Sequence, residues 1–129
     1  MKTLFFKTAL LILTGCLIFV MTSCDVGTTF DGNKVTDGKM FKMDYSVLDK
    51  TEDAYLRLDR GDTLNVAISH TSGAVDVTVK ADGDDPIYEG RSLENISFTL
   101  GIHSSGRYRI TVVGHKACGS VSFSAVGDV

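Results

Sequence analysis

The chain has 129 residues, 43% hydrophobic and 22% charged, with 13 Lys and Arg against 16 Asp and Glu for a formal charge of −3. Nucleic-acid partners call for a basic face that displaces counterions from phosphates, and anionic headgroups attract dense Lys/Arg runs; the chain carries neither. One proline, no tryptophan and three cysteines leave room for one small domain without a disulfide framework.

Met1 to Cys24 read as a bacterial lipoprotein export signal. Lys2 and Lys7 form a basic start, Thr8–Met21 is uncharged and largely apolar, and Met21-Thr22-Ser23 places small residues before Cys24. A secretory signal has this tripartite logic, and a thiol after small residues is the nucleophile that takes a diacylglycerol. Leu13-Thr14-Gly15-Cys16 has the same local form. Cleavage there, however, leaves only Thr8–Leu13 as the apolar run, at or below the ~7–15 residues such a region needs. Cys24 is therefore the expected lipid-bearing residue. An uncleaved transmembrane helix is the competing reading, but Thr8–Cys24 is short of the ~20 residues that span a hydrocarbon core. Asp25 after Cys24 resembles an inner-membrane retention signal of enteric bacteria. Removing the signal leaves 11 basic against 16 acidic residues, a formal −5.

Asp25–Gly38 has three glycines and only Val26, Phe30 and Val35 as bulky apolar residues, with no sustained period, so it reads as a flexible tether. From Lys39 onward apolar residues alternate with polar ones, the period of pleated strands. The expected inward sets are Phe41, Met43, Tyr45 and Val47; Leu56 and Leu58; Leu64, Val66 and Ile68; Val75, Val77 and Val79. Ile87 and Tyr88 follow, then Ile96, Phe98 and Leu100, then Tyr108, Ile110 and Val112, and last Val121, Phe123 and Ala125. Turn clusters at Asp59–Asp62, Thr71–Gly73, Asp82–Asp85, Ser104–Gly106 and Ala117–Gly119 separate these runs. About eight short strands predict an all-β, two-sheet antiparallel sandwich, jelly-roll-like or immunoglobulin-like, with Val66, Val77, Phe98, Ile110 and Phe123 in its core. The expected organisation is residues 1–23 as signal peptide, residues 24–38 as lipidated cysteine and tether, and residues 39–129 as the sandwich.

Candidate chemistry is sparse. His70, His103 and His115 all fall at expected strand ends or turns, where solvated side chains are the ordinary case. His115 and Cys118 have the spacing of one edge of a zinc site, but a structural zinc takes four ligands and no second close pair accompanies them. Asp82-Gly83-Asp84-Asp85 offers oxygens to calcium, yet the EF-hand spacing with its terminal glutamate is absent, and turn formation explains the same residues. Cys118 is the one cysteine left in the domain and reads as a packing residue. Asn95-Ile96-Ser97 matches the glycosylation acceptor by coincidence in a bacterial lipoprotein. No nucleophile elbow, His-Glu-x-x-His pair or phosphate-binding loop occurs. Tyr55, opposite in phase to Leu56 and Leu58, is a candidate exposed aromatic that can stack on a sugar or anchor a protein partner; Tyr88 is expected to complete the core beside Ile87.

Gly106-Arg107-Tyr108-Arg109-Ile110-Thr111-Val112, followed by Gly119-Ser120-Val121-Ser122-Phe123, resembles the end of small bacterial β-sandwich modules. The pattern is similar to bacterial pre-peptidase C-terminal domains and to small bacterial lipoproteins built alike, as is Leu56-x-Leu58-x-x-Gly61-Asp62-Thr63-Leu64-x-Val66. The resemblance spans roughly Met40–Ala125 and implies a non-catalytic module, some of whose kind bind polysaccharide or protein; it transfers no binding residue. The expectation is a lipid-anchored protein of the bacterial envelope, outside the cytoplasm, that binds an envelope protein or glycan without catalysis, metal, cofactor or nucleic acid. An inhibitor or accessory subunit of a cell-surface enzyme is the alternative, favoured by a protruding Asp82–Gly90 loop. A hydrolase needs a deep pocket that collects a histidine, a carboxylate and a serine.

Overall fold

The computed structural model describes residues 29–127, so the export signal, Cys16 and Cys24 lie outside the described residues. Seven antiparallel strands follow in order: β1 (Thr29–Asp37), β2 (Met40–Asp49), β3 (Thr51–Leu58), β4 (Thr63–Ala81), β5 (Pro86–Leu93), β6 (Asn95–Gly101) and β7 (Gly106–Val126). Among the described residues no helix is long and apolar enough to cross a membrane.

The strands form one hydrogen-bonded sheet that folds over on itself into the two layers of a sandwich. The first layer has the order β1-β2-β7-β4-β6 and uses the C-terminal half of β7 and the N-terminal half of β4. The second has the order β3-β7-β4-β5 and uses their other halves. β4, of 19 residues, and β7, of 21, therefore run through both layers. This corrects the strand count. Thr71–Gly73 and Ala117–Gly119 are not reversals; they are the facing corners where this strand pair bends. Pairing continues on both sides of each corner, with register shifts at Ser72. Gly73 at φ 70° and Lys116 at φ 49° supply the local twist. A Cβ at Gly73 would run into the Lys116 carbonyl, so this corner accepts only glycine.

The inward residues of both layers meet in one core. Phe41, Leu56, Leu58, Leu64, Val77, Ile110 and Phe123 are wholly buried and Val66 nearly so, and Phe41 stacks on Phe123 with centroids 5.7 Å apart. Full burial of each such side chain contributes about 1.5–3 kcal/mol before entropy is counted. Three expectations shift. Val47 is exposed and Leu48 is buried in its place, because the register slips between Tyr45 and Leu48 and a one-residue slip exchanges the faces of a strand. Phe98 is half-buried, since β6 is an edge strand that pairs only with β4 among the described residues. Thr29–Asp37, read as tether, is a strand paired along its length with β2. Its single inward anchor is Phe30, 6.5 Å from the Tyr45 ring; its other residues are exposed, which is why no apolar period marks it.

Candidate functional site

The bend in β4 and β7 brings two polar side chains, Tyr45 and His70, together in the core. Gly119 lies between Tyr45 and His70 in register. With no side chain there, the two rings lean across it and the Tyr45 hydroxyl meets His70 Nε2 at 2.5 Å. Gly119 sits at φ 152°, and a Cβ on it would strike the Ser69 carbonyl and the His70 ring. The solvated-turn expectation fails for His70, which is 7% exposed. Burial pushes its pKa down against the pull of the Leu93 and Glu94 carbonyls. Burial likewise pushes the Tyr45 phenol up, with Cys118 adding to it. Both groups are thus neutral at ordinary pH, and His70 Nδ1 is buried with no hydrogen-bond partner among the described residues.

Beside this pair lies a cavity of about 140 Å³ lined by His70, Thr71, Ser72, Gly73, Glu94 and Asn95. It does collect a histidine, a serine and a carboxylate. Its volume, however, is below the ~300–1,000 Å³ of substrate pockets, and His70 Nε2 is engaged by Tyr45. Asn95 is engaged as well: its Oδ1 accepts from the His70 amide at 3.1 Å and its Nδ2 donates to the His70 carbonyl at 3.2 Å. The Asn95 side chain thus clamps the start of β6 to the end of β4's first half. The cavity is a small polar hollow at the corner whose histidine and amide are already hydrogen-bonded within the chain.

The other histidines stand apart from this corner. His115 pairs with Asp76 at 2.9 Å, and Asp76 also accepts the Ser92 amide at 2.9 Å. Burial raises the Asp76 pKa, but these two donors outweigh it and hold the carboxyl below its ordinary value. His103 is exposed, and Cys118 is half-buried and free. Among the described residues no three His, Cys, Asp or Glu side chains are grouped to hold a metal. In the acidic turn, Asp82 binds the Arg107 guanidinium at 2.7 Å, and Asp84 donates its amide to the Ala81 carbonyl at 3.2 Å. Gly83 takes φ 80° there. β5 begins at Pro86, so Asp82–Gly90 is a short turn entering a strand. The segment expected to be a protruding loop is thus a hairpin turn, exposed from Asp82 to Ile87.

The outer faces of the two layers differ in chemistry. On the second layer Tyr55 is 45% exposed, as its phase in β3 predicts, and the Arg107 guanidinium lies 4.4 Å from its ring centroid. Asp82 accepts a hydrogen bond from the Arg107 Nε at 2.7 Å. Next to it Asp53 accepts from Arg109 at 3.0 Å and from Thr111 at 2.8 Å. One exposed aromatic and two arginines are thereby held in place before any partner arrives. Ile87, exposed and not in the core, lies on β5; Tyr88 turns inward onto Phe98, with centroids 4.5 Å apart. On the first layer, two shallow depressions of about 350 and 270 Å³ share Ser122. Their lining includes Asn65, Ser97, Thr99 and Ser124 on one side and Asn33, Lys42, Asp44 and Ser120 on the other.

Fold and surface together define an antiparallel β-sandwich domain with preformed polar faces. No family model and no curated protein matches the chain. Among solved structures it is similar to Aeromonas hydrophila PliG, a periplasmic lysozyme inhibitor of g-type lysozyme. The identity is 17% and the TM-score 0.45, over 80% of this chain and 93% of that one. It is also similar to the pre-peptidase C-terminal domain of collagenase from Bacillus anthracis, at 12% identity and a TM-score of 0.46, over 77% and 89% of the two chains. A third similar structure is a CBM4, at 13% identity and a TM-score of 0.37, over 72% and 74% of the two chains. The second is of the type that the Gly-x-Tyr and Gly-Ser-x-x-Phe strands resemble.

Sequence reasoning found Tyr55 and missed the Tyr45–Gly119–His70 row. A glycine inside an alternating strand pattern signals a bulge or a close approach, and Gly119 was that signal.

Proposed function

We propose that this chain is a lipid-anchored bacterial envelope protein, attached through Cys24, whose sandwich binds a protein partner without catalysis. The face in question is the outer face of β3 and the N-terminal half of β7. The observation that carries this reading is the Tyr55–Arg107–Asp82 stack beside Arg109–Asp53. Tyr and Arg dominate the energetic centres of protein interfaces, and side chains already fixed by ion pairs lose less freedom on binding. The Thr8–Met21 run and the small residues before Cys24 support the anchor.

Palmitate labelling of cells tests the anchor: label is expected on wild type and Cys16→Ser and absent from Cys24→Ser, whereas loss only in Cys16→Ser reverses the assignment. Capture from solubilised envelope by the full chain in mild detergent tests the face. Truncation of an interface centre costs upwards of ~1.4 kcal/mol, about tenfold in affinity, so Tyr55→Ala and Arg107→Ala are each expected to release the captured protein. Retention by both variants rejects this face.

A second reading has its own support. The depressions on the first layer combine hydroxyl and amide side chains with apolar surface from residues such as Val35 and Ala67, and Lys42 and Asp44 are their only charges. That chemistry matches the hydroxyl groups of a neutral glycan. Cosedimentation with insoluble cell-wall polysaccharide, lost in Ser122→Arg and kept in Tyr55→Ala, would select it.

A further inference from the structure

The four edges of the folded sheet are not protected alike. β1 carries a register shift at Asp31/Gly32 and the charges Asp31, Lys34 and Asp37. β3 carries Glu52, Asp53 and Arg57. β5 carries Pro86, Glu89 and Arg91 and two register shifts. Charges, prolines and bulges of this kind are how natural sheets keep unpaired edges from docking on other strands. β6, Asn95-Ile96-Ser97-Phe98-Thr99-Leu100-Gly101, has none of them: it is uncharged, lacks proline and pairs with β4 without a shift over its whole length. Its inward residues are also incompletely covered, with Ile96 41% exposed and Phe98 and Leu100 only partly buried.

We propose that β6 is the interface between two copies of this chain, paired antiparallel about a twofold axis at Phe98. The sequence of the strand is self-complementary about that residue. Phe98 faces Phe98, Ile96 faces Leu100 and Ser97 faces Thr99, so apolar meets apolar on the inner side and hydroxyl meets hydroxyl on the outer side. A twofold perpendicular to the sheet keeps the inner faces on one side, and the first layers of the two copies become one continuous sheet. Opposed side chains in such a pair lie about 4.5–5.5 Å apart at Cβ and interact directly. Charge favours the same strip. Each copy has an acidic balance of −3, and the approach of two like-charged molecules is least opposed where neither presents a charge. Beyond the strand, Glu94 of one copy falls beside Ile102–His103 of the other, an acidic side chain against a histidine at each end.

Sedimentation equilibrium of the full chain in mild detergent tests this. Wild type is expected at two chains per particle. Thr99→Lys places a lysine on the exposed outer side of β6, where it faces Ser97 of the other copy and brings like charges close to the axis. This variant is expected at one chain per particle with an unchanged circular dichroism spectrum and melting profile beyond the loss of the dimer. Mixing Ser97→Cys with Thr99→Cys and oxidising should yield a 97–99 disulfide between chains by mass mapping, and Ser97→Cys alone should not. A wild type that stays at one chain per particle overturns the proposal, whether the edge is left bare or taken by another protein's strand. A Thr99→Lys dimer, or cross-links in a different register, overturns it equally.

Discussion

The two lateral seams of the sandwich are closed by opposite chemistry. Where β1 meets β3, Lys34 reaches across the layers to Glu52 at 3.0 Å and to the Asp53 carbonyl at 2.7 Å, and Lys50 adds a second contact to Glu52 at 3.2 Å. Where β5 meets β6, Tyr88 packs on Phe98, with Leu93 and Leu100 partly buried beside them. The first seam is a polar clasp that water can penetrate. The second is an apolar closure that stops short of covering Ile96. An ionic seam is complete in one chain, because its charges are paired and its edges are blunted. An apolar seam that remains half open has more surface to bury, and that asymmetry gives the molecule one side that repels other strands and one that accepts them.

Core truncation sets the scale against which both seams are measured. Phe123, wholly buried between the layers and stacked on Phe41, should cost about 3–5 kcal/mol when replaced by Ala. Phe98→Ala should cost about 1–2 kcal/mol, since a half-covered ring loses fewer contacts and leaves a site that solvent can fill. Both are best read by urea denaturation in the Thr99→Lys background, where stability does not depend on chain concentration. A double-mutant cycle of Tyr88→Ala and Phe98→Ala should give a coupling of about 0.5–1.5 kcal/mol, the range for ring pairs in contact. Equal costs for Phe98 and Phe123 would mean that the β5–β6 seam is as closed as the core, and the contrast between seams would be lost.

Much of this was legible in residue order. Alternation placed Phe41, Met43 and Tyr45, Val66, Val77, Ile110 and Phe123 correctly because period two survives wherever a strand is flat. It failed at Val47 and Leu48, where a bulge adds a residue and no local signal marks it. The clusters at Thr71–Gly73 and Ala117–Gly119 look like reversals in the sequence, since a corner and a turn ask for the same backbone freedom. Only long-range pairing of β4 with β7 on both sides tells them apart. β1 was missed because an edge strand with one inward aromatic has no apolar period. Tyr55 was legible as exposed from its phase alone, but its partnership with Arg107 and Asp82 depends on strand order. That order is not written in any local segment.

The smallest expected effect belongs to the ionic seam and is the sharpest on mechanism. Lys34 and Glu52 are partly buried, at 33% and 16% side-chain exposure, and such pairs contribute about 0–1 kcal/mol. Burial raises the Glu52 pKa, but the hydrogen bonds from Lys34 and Lys50 outweigh it and hold the carboxyl below its ordinary value. Asp53 is likewise raised by burial and lowered further by Arg109 and Thr111, with a smaller contribution from the Lys34 charge. A carboxyl whose folded pKa is depressed binds its proton more readily in the unfolded chain. Its stabilisation is therefore present above the unfolded value, near about 4, and lost as pH falls through the folded one. The stability gap between wild type and Lys34→Met should thus be widest at neutral pH and shrink in acid and in high salt. It should not reach zero, because the Lys34 bond to the Asp53 carbonyl has no titrating acceptor. Glu52→Gln should remove most of the pH-dependent part and leave that remainder. A gap that stays constant from neutral to acid pH would show that Lys34 acts only through non-titrating contacts, the Asp53 carbonyl and the Phe41 ring 5.7 Å away, and that the seam is not ionic.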